Sequence, residues 1–281
     1  DSLAHYDFNL SLSLCLDEIN KLNFYDKPGL YSSLLSRAGR SAFHIGKLRL
    51  SDSIYDVLIN IPIKNLHPFV KAEILKDKYF ISEVYSKNIE ALEYAKKAYL
   101  IYQQNGFIDG QLDLLHKVLA INRDNGDLEK AAEYENDILS IIDDCGNLET
   151  KFYLCLSISR LNIKTQNFGK ALTYLTKAKE LAKTINDNSL NARIIVAQGL
   201  FYYHQKNFNR ANEFFREAII NLRLAHERIF ESHVTTLLAA VSMRQEHYKD
   251  ALGYNRRAFR LREQSGSLYL MASSYTNMAN T

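Results

Sequence analysis

The sequence predicts an all-α chain built as a solenoid of antiparallel helix hairpins, and three observations carry that expectation. The 281 residues are 47% hydrophobic and hold only 11 Gly and 3 Pro, so few positions are suited to breaking a helix. The prolines, Pro28, Pro62 and Pro68, all fall in the first quarter of the chain. The sequence also repeats itself: Ala91, Ala131, Ala171, Ala211 and Ala251 stand 40 residues apart. Within each copy, two stretches space their apolar residues by three and four, the period of a helix with one buried face.

Other columns keep the same register. Tyr94, Tyr134, Tyr174, Phe214 and Tyr254 follow the alanines by one turn, and Ala98, Ile138, Ala178, Ala218 and Ala258 by two. Leu128, Phe168, Phe208 and Tyr248 precede them by one turn. Ser51, Ile54 and Leu58 continue the pattern backward as a weaker first copy. Composition agrees with an ordered chain, since half the residues can help offset the entropy of ordering. Lys+Arg 35 against Asp+Glu 32 leaves +3, too little for the basic field of a nucleic-acid binder, and none is expected as a partner. No run is apolar enough to cross a membrane as a helix.

The elements follow in order. Leu3 to Leu22 is amphipathic and reads as an N-terminal cap or the second helix of an earlier repeat, set off by Leu22–Gly29. Residues 1–30 are therefore expected as an N-terminal helix, and 31–281 as about six repeats with the start of a seventh. Arg37–Leu58 forms the first copy, with Gly39 and Ala42 at its close approaches. Ile61–Pro68 holds two prolines and stops the helix there. Gln103–Gly106, Asp143–Gly146 and Ile185–Asn188 read as turns, with Gly or Asn placed to end a helix. The clearest copy runs from Ala192 to Leu222: one helix to His204, a break at Gln205–Asn207, then a second from Phe208. Gly199 and Ala211 suit two helices packed closely, because a large side chain would force the backbones apart. Ala272–Ala279 restarts a first helix, so a continuation beyond Thr281 is expected.

This pattern resembles the tetratricopeptide repeat (TPR) family, whose small and aromatic positions fall here at Gly199, Tyr202, Ala211, Phe215 and Ala218. Asn162, Phe168, Ala171 and Ala178 match in one further copy, and Ala239, Tyr248, Ala251 and Ala258 in another. The period exceeds the family's usual 34 residues, like the longer variants in sensor regions of bacterial signalling proteins. The resemblance implies a right-handed superhelix whose first helices line a concave groove, and a protein or peptide as the ligand held there. The family's carboxylate-clamp set of Lys and Asn is missing, with Leu156 and Arg160, or Val196 and Leu200, in its place.

Motifs that carry reactions are absent: no Gly-rich phosphate loop, nucleophile elbow or HExxH is present. The eight histidines never stand as an i, i+4 metal pair. Asn122–Gly126 reads as a turn between helices, not a calcium loop. Cys15, Cys145 and Cys155 show no CxxC spacing and read as buried thiols, with a Cys145–Cys155 pair left open. No enzyme activity, metal or cofactor is expected.

The residues expected to line the groove are Arg40, Lys76, Phe80, Arg123, Tyr153, Arg160, Arg193, Tyr203, His204, His233 and Arg244, on first helices opposite their packed stripe. Arginine forks and tyrosine rings suit an acidic or carboxylate-bearing peptide. The leading functional expectation is a non-enzymatic regulatory or sensor region of a larger bacterial signalling protein, passing a ligand-driven change to an output domain. A stand-alone adaptor for complex assembly and a peptide-pheromone receptor are the alternatives. The compartment stays open: periplasmic for the sensor of a membrane receptor, cytoplasmic otherwise.

Overall fold

The computed structural model describes residues 8–23, 25–61, 66–84, 88–264, 268–279 and 281. Leu3–Asp7 and Pro62, which the sequence reading placed in a first helix and a helix stop, lie outside the described residues. Among those described there are fourteen α-helices and no strand. They are α1 (Phe8–Lys21), α2 (Pro28–His44), α3 (Leu48–Asn60), α4 (Pro68–Val84), α5 (Asn88–Gln104), α6 (Ile108–Asn125) and α7 (Leu128–Ile141). After a 3₁₀ turn at Ile142–Asp144 come α8 (Leu148–Lys164), α9 (Phe168–Ile185), α10 (Asn188–His204), α11 (Phe208–Leu224), α12 (Arg228–Arg244), α13 (Tyr248–Gln264) and α14 (Leu268–Ala279). Each helix begins 20 residues after the one before it. The fold is all-α and TPR-like, made of antiparallel helix hairpins.

The turns share that register. Left-handed residues that end a helix stand at Gly46, Gly106, Gly126, Gln166, Asn186, Lys206, His226 and Glu246. Asp127, Asn147, Asn167, Asp187 and Asn207 then cap the next helix, their side chains accepting from backbone N–H groups of its first turn. The turns at Gly126–Asp127, Gln166–Asn167, Asn186–Asp187 and Lys206–Asn207 thus satisfy orphaned backbone groups on both sides. Glu227 breaks the series: it precedes α12 without capping it.

The chain divides into two compact units, Asp1–Leu114 and Leu115–Thr281, with the boundary inside α6. In the first unit, α1 packs on α2, α2 pairs with α3, and α4 with α5. Its core joins Leu12, Cys15, Leu35, Ala38, Ala42, Ile54, Tyr55 and Leu58. Tyr55 is fully buried over Gly39, and its hydroxyl donates to Asp77 Oδ2 at 2.8 Å and to Ser36 O at 3.2 Å. Lys78 is buried and donates to Asp52 at 2.5 Å and Asp56 at 2.6 Å.

In the second unit, α8 pairs with α9, α10 with α11, and α12 with α13. First helices lie side by side: Lys164 of α8 donates to the Arg123 carbonyl of α6 at 2.6 Å, and Arg244 of α12 to Tyr203 Oη of α10 at 3.2 Å. Second helices form the other layer, where Lys170 of α9 meets Glu135 of α7 at 3.0 Å and Arg216 of α11 donates to Tyr254 of α13 at 2.9 Å. The repeated alanines Ala131, Ala171, Ala211 and Ala251 are wholly buried where these layers meet. The three cysteines are free thiols, and burial first of all pushes Cys155 up to about 11, which keeps it protonated and unreactive.

Candidate functional site

Three of the expected groove residues belong to the first unit, and there they are engaged by neighbouring side chains. Arg40 donates through Nε to Asp77 at 2.7 Å. Lys76 is buried and donates to Glu73 at 2.7 Å and Asp113 at 2.8 Å. Burial alone would lower the Lys76 ammonium, but Asp113 and Glu73 outweigh it and hold the pKa above the ordinary value. Phe80 is half-buried against Tyr79, with ring centroids 4.8 Å apart.

The other eight lie in the second unit. Five of them, Arg123, Tyr153, Arg160, Arg193 and His233, come together on its first-helix layer. The organising feature is a continuous stack of flat groups across four helices. His116 of α6 stacks on Tyr153 of α8 at 5.8 Å between centroids. Arg193 of α10 has its guanidinium carbon 5.7 Å from the Tyr153 ring centre and 4.5 Å from that of Phe230 on α12. Phe230 stacks on His233 at 6.0 Å. Tyr153, Arg193 and His233 occupy the same register position in successive hairpins, which is why their side chains meet across adjacent helices.

Polar contacts fix the ladder. His116 Nδ1 lies 2.7 Å from Ser157 Oγ. Glu227, freed from capping, accepts from Ser189 Oγ and from Arg193 Nη2 at 3.3 Å. The carboxylate that would have closed the turn before α12 therefore holds Arg193 between its two rings. Arg123 is buried and pairs with Asp124 through two bonds, Nε to Oδ1 at 2.9 Å and Nη2 to Oδ2 at 3.0 Å.

The electrostatics are lopsided. Two carboxylates, Asp124 and Glu227, serve Arg123 and Arg193, whereas Arg160 makes no hydrogen bond or ion pair among the described residues. Arg123 Nη1, Arg160 Nε and Arg193 Nε are buried donors without an acceptor. Burial, then the charges of Arg123 and Arg193, pull the Arg160 guanidinium down to about 10. Crowding by protein, then Arg160 and Arg262, lowers His233 to about 4, although the ring keeps an exposed surface.

Tyr203, His204 and Arg244 form a second cluster. Tyr203 accepts from Arg244 and packs on His204 at 5.6 Å. Tyr203 and Arg244 line a cavity of about 370 Å³ with Thr236, Ala240, Met243 and Asn255. Burial, then Lys164, lowers the His204 imidazole. Among the described residues no group of three or more His, Cys, Asp or Glu is arranged to hold a metal, and no helix is long and apolar enough to cross a membrane. Phe230 and Glu227 are not among the groove residues that helix periodicity marks. Only the lapse of the Asp/Asn capping column at Glu227, one turn before Phe230, signals them.

Comparisons bear on this geometry. The family model described as 26S proteasome subunit RPN7 matches residues 77–251, more than half of the chain. No curated protein matches the sequence. Among solved structures, a Rap protein complexed with competence and sporulation factor is similar at 14% identity, with 97% of this chain and 86% of that chain covered and a TM-score of 0.67. The Rap conjugation gene regulator of plasmid pLS20, in complex with a Phr peptide, is similar at 13% identity, covering 90% and 68%, with a TM-score of 0.68. A tetratricopeptide repeat protein from Parabacteroides merdae is similar at 13% identity, covering 96% and 99%, with a TM-score of 0.57. At these identities the likeness establishes the fold.

Proposed function

This chain belongs to the family of the 26S proteasome subunit RPN7, and from that premise and the geometry of its second unit we propose that it is a peptide- or protein-binding regulator that performs no chemistry on its partner. The observation that carries this reading is the ladder His116–Tyr153–Arg193–Phe230–His233. Stacked rings offer rigid apolar area at little entropic cost, and the guanidiniums among them add directional hydrogen bonding, the combination that dominates binding hot spots. One of the similar structures is in complex with a Phr peptide and another with competence and sporulation factor. An extended segment laid across α8, α10 and α12 would meet Tyr153, Arg193 and the Phe230–His233 pair in turn. Its binding would bias the packing of successive hairpins and so reach an output module, as in a sensor region of a bacterial signalling protein.

The test is selection of random heptapeptides on the immobilised full chain, followed by photo-cross-linking of the enriched sequences. Cross-links on α8, α10 and α12 are expected. Enrichment of none, or cross-links confined to α9, α11 and α13, overturns the reading.

The family match favours a second reading, in which the chain is an assembly subunit holding other proteins in a complex. Exposed apolar residues of the second-helix layer, Leu172 and Ile220 among them, would then be the contact surface. Cross-links to a folded partner at those residues would support it.

A further inference from the structure

Arg160 sits where a structural arginine would be expected to have a partner, and it has none. It lies two helical turns beyond Tyr153 on α8, so both project from the same face. Its counterparts in the neighbouring hairpins, Ala120 and Leu200, bring no charge. The nearby carboxylates are committed elsewhere: Asp124 with both oxygens to the Nε–Nη2 edge of Arg123, Glu227 to Arg193 and Ser189. Three guanidiniums therefore share two carboxylates, and each keeps one buried N–H without an acceptor. Arg160 is half-buried, but its Nε is shut away from water and acceptor alike, and burying a donor unpaired is costly. A fold would be expected to shed such a residue unless something outside the chain completes it.

We propose that Arg160, flanked by Arg123 and Arg193, is the seat of a carboxylate on the bound peptide. This deepens the reading above and rests on it. The planar fork of Arg160 can give two parallel hydrogen bonds to one carboxylate, with its unpaired Nε as one donor. Nη1 of Arg123 and Nε of Arg193 are likewise without an acceptor. Tyr153 and Phe230 flank Arg193 and border the neighbouring apolar side chain of the peptide. The carboxylate comes either from an acidic side chain or from a peptide C-terminus.

The experiment follows arginine Nε–H signals of the ¹⁵N-labelled full chain during titration with four dipeptides. They are acetyl-Tyr-Glu, acetyl-Tyr-Glu amide, acetyl-Tyr-Gln and acetyl-Tyr-Gln amide. Probes carrying a carboxylate should shift the Arg160 signal, and the neutral Tyr-Gln amide should not. Acetyl-Tyr-Glu carries both carboxylates; a response to the Glu amide and not to free-ended Tyr-Gln identifies a side-chain source, and the converse a C-terminal one. Arg160→Gln should weaken binding at least tenfold, with Arg160→Lys in between, while both variants keep their helical circular dichroism.

Absence of any shift at Arg160, equal binding of the neutral probe, or an unchanged affinity of Arg160→Gln overturns the subsite. The broader reading fails separately. Carboxylate-dependent shifts at Arg160 without heptapeptide enrichment leave the subsite standing and remove the peptide receptor. Enriched peptides indifferent to Arg160→Gln do the reverse.

Discussion

The ring of Phe215 occupies the space that a side chain at residue 199 would need: a Cβ built on Gly199 would stand 2.4 Å from Phe215 Cε1. Gly199 lies on α10 and Phe215 on its hairpin partner α11, and Phe215 is wholly buried. The pair sets how closely the two helices of the hairpin approach. Gly199→Ala gains helix propensity but must displace a packed ring, and overpacking of that kind costs about 1–3 kcal/mol. A net loss in urea unfolding is expected, recovered in part by Phe215→Leu. Gly253, exposed on α13 with nothing near its Cα face, is the contrast. There Gly253→Ala should stabilise by about 0.5–1 kcal/mol.

The left-handed turn residues offer a second test. Glycine holds this position at Gly46, Gly106 and Gly126, but Lys206 and Glu246 hold it with φ of 61° and 62°. A non-glycine residue there brings its Cβ against the backbone, at roughly 1–2 kcal/mol. Glycine removes that strain but adds freedom to the unfolded chain. Lys206→Gly and Glu246→Gly should each stabilise by about 0.5–1 kcal/mol, read as a higher midpoint in urea. A lower midpoint in both would mean that the side chains make contacts worth more than the strain.

These features explain why the fold was legible and much of the site was not. Alanines at 131, 171, 211 and 251 recur because every hairpin needs a small residue at the same close approach, and each is buried to the last atom. Left-handed turn residues and capping Asp or Asn recur because most of these hairpin turns end one helix and start the next in the same way. A column read along the chain captures such demands. Which charges neutralise one another depends on neighbours some 35–40 residues away, and no column states it. In sequence Lys76 has the marks of a groove cation, but Asp113 lies against it in the fold. Arg160 looked no different in sequence, yet Ala120 and Leu200 leave it alone.

Lys76 should accordingly behave as a structural residue. It is buried between Glu73 and Asp113, and Glu73 also accepts from the Tyr102 hydroxyl at 2.5 Å. Lys76→Met keeps the stem's packing but strands two partly buried carboxylates. Breaking a fully buried pair costs about 3–5 kcal/mol. Glu73 and Asp113 retain some solvent, so about 2 kcal/mol is expected here. Asp113→Asn in the Lys76→Met background should return part of that. Peptide affinity on the second unit should not change, and a loss there with stability intact would reassign Lys76 to binding.

His233 ties the charge of the site to pH. Its folded pKa is lowered to about 4, by surrounding protein first and then by Arg160 and Arg262, with Arg123 acting the same way and Asp124 opposing. An unfolded histidine titrates near 6.5. Between those values the unfolded chain binds a proton that the folded chain refuses, so stability falls as pH drops from about 6.5 toward 4 and carries no such penalty above 6.5. Because the exposed ring keeps part of its hydration, the measured value should fall between about 4 and 6.5. Arg160→Gln removes the largest charge acting on it and should move that value back toward 6.5 and flatten the acid limb of the stability curve. A bound carboxylate at Arg160 should raise it in the same direction without any mutation. Ring-proton NMR titration of the parent chain, the variant and the chain with acetyl-Tyr-Glu reads all three. An ordinary His233 pKa in the parent chain would mean that the guanidiniums are fully screened and that Arg160 has no need of a counter-charge.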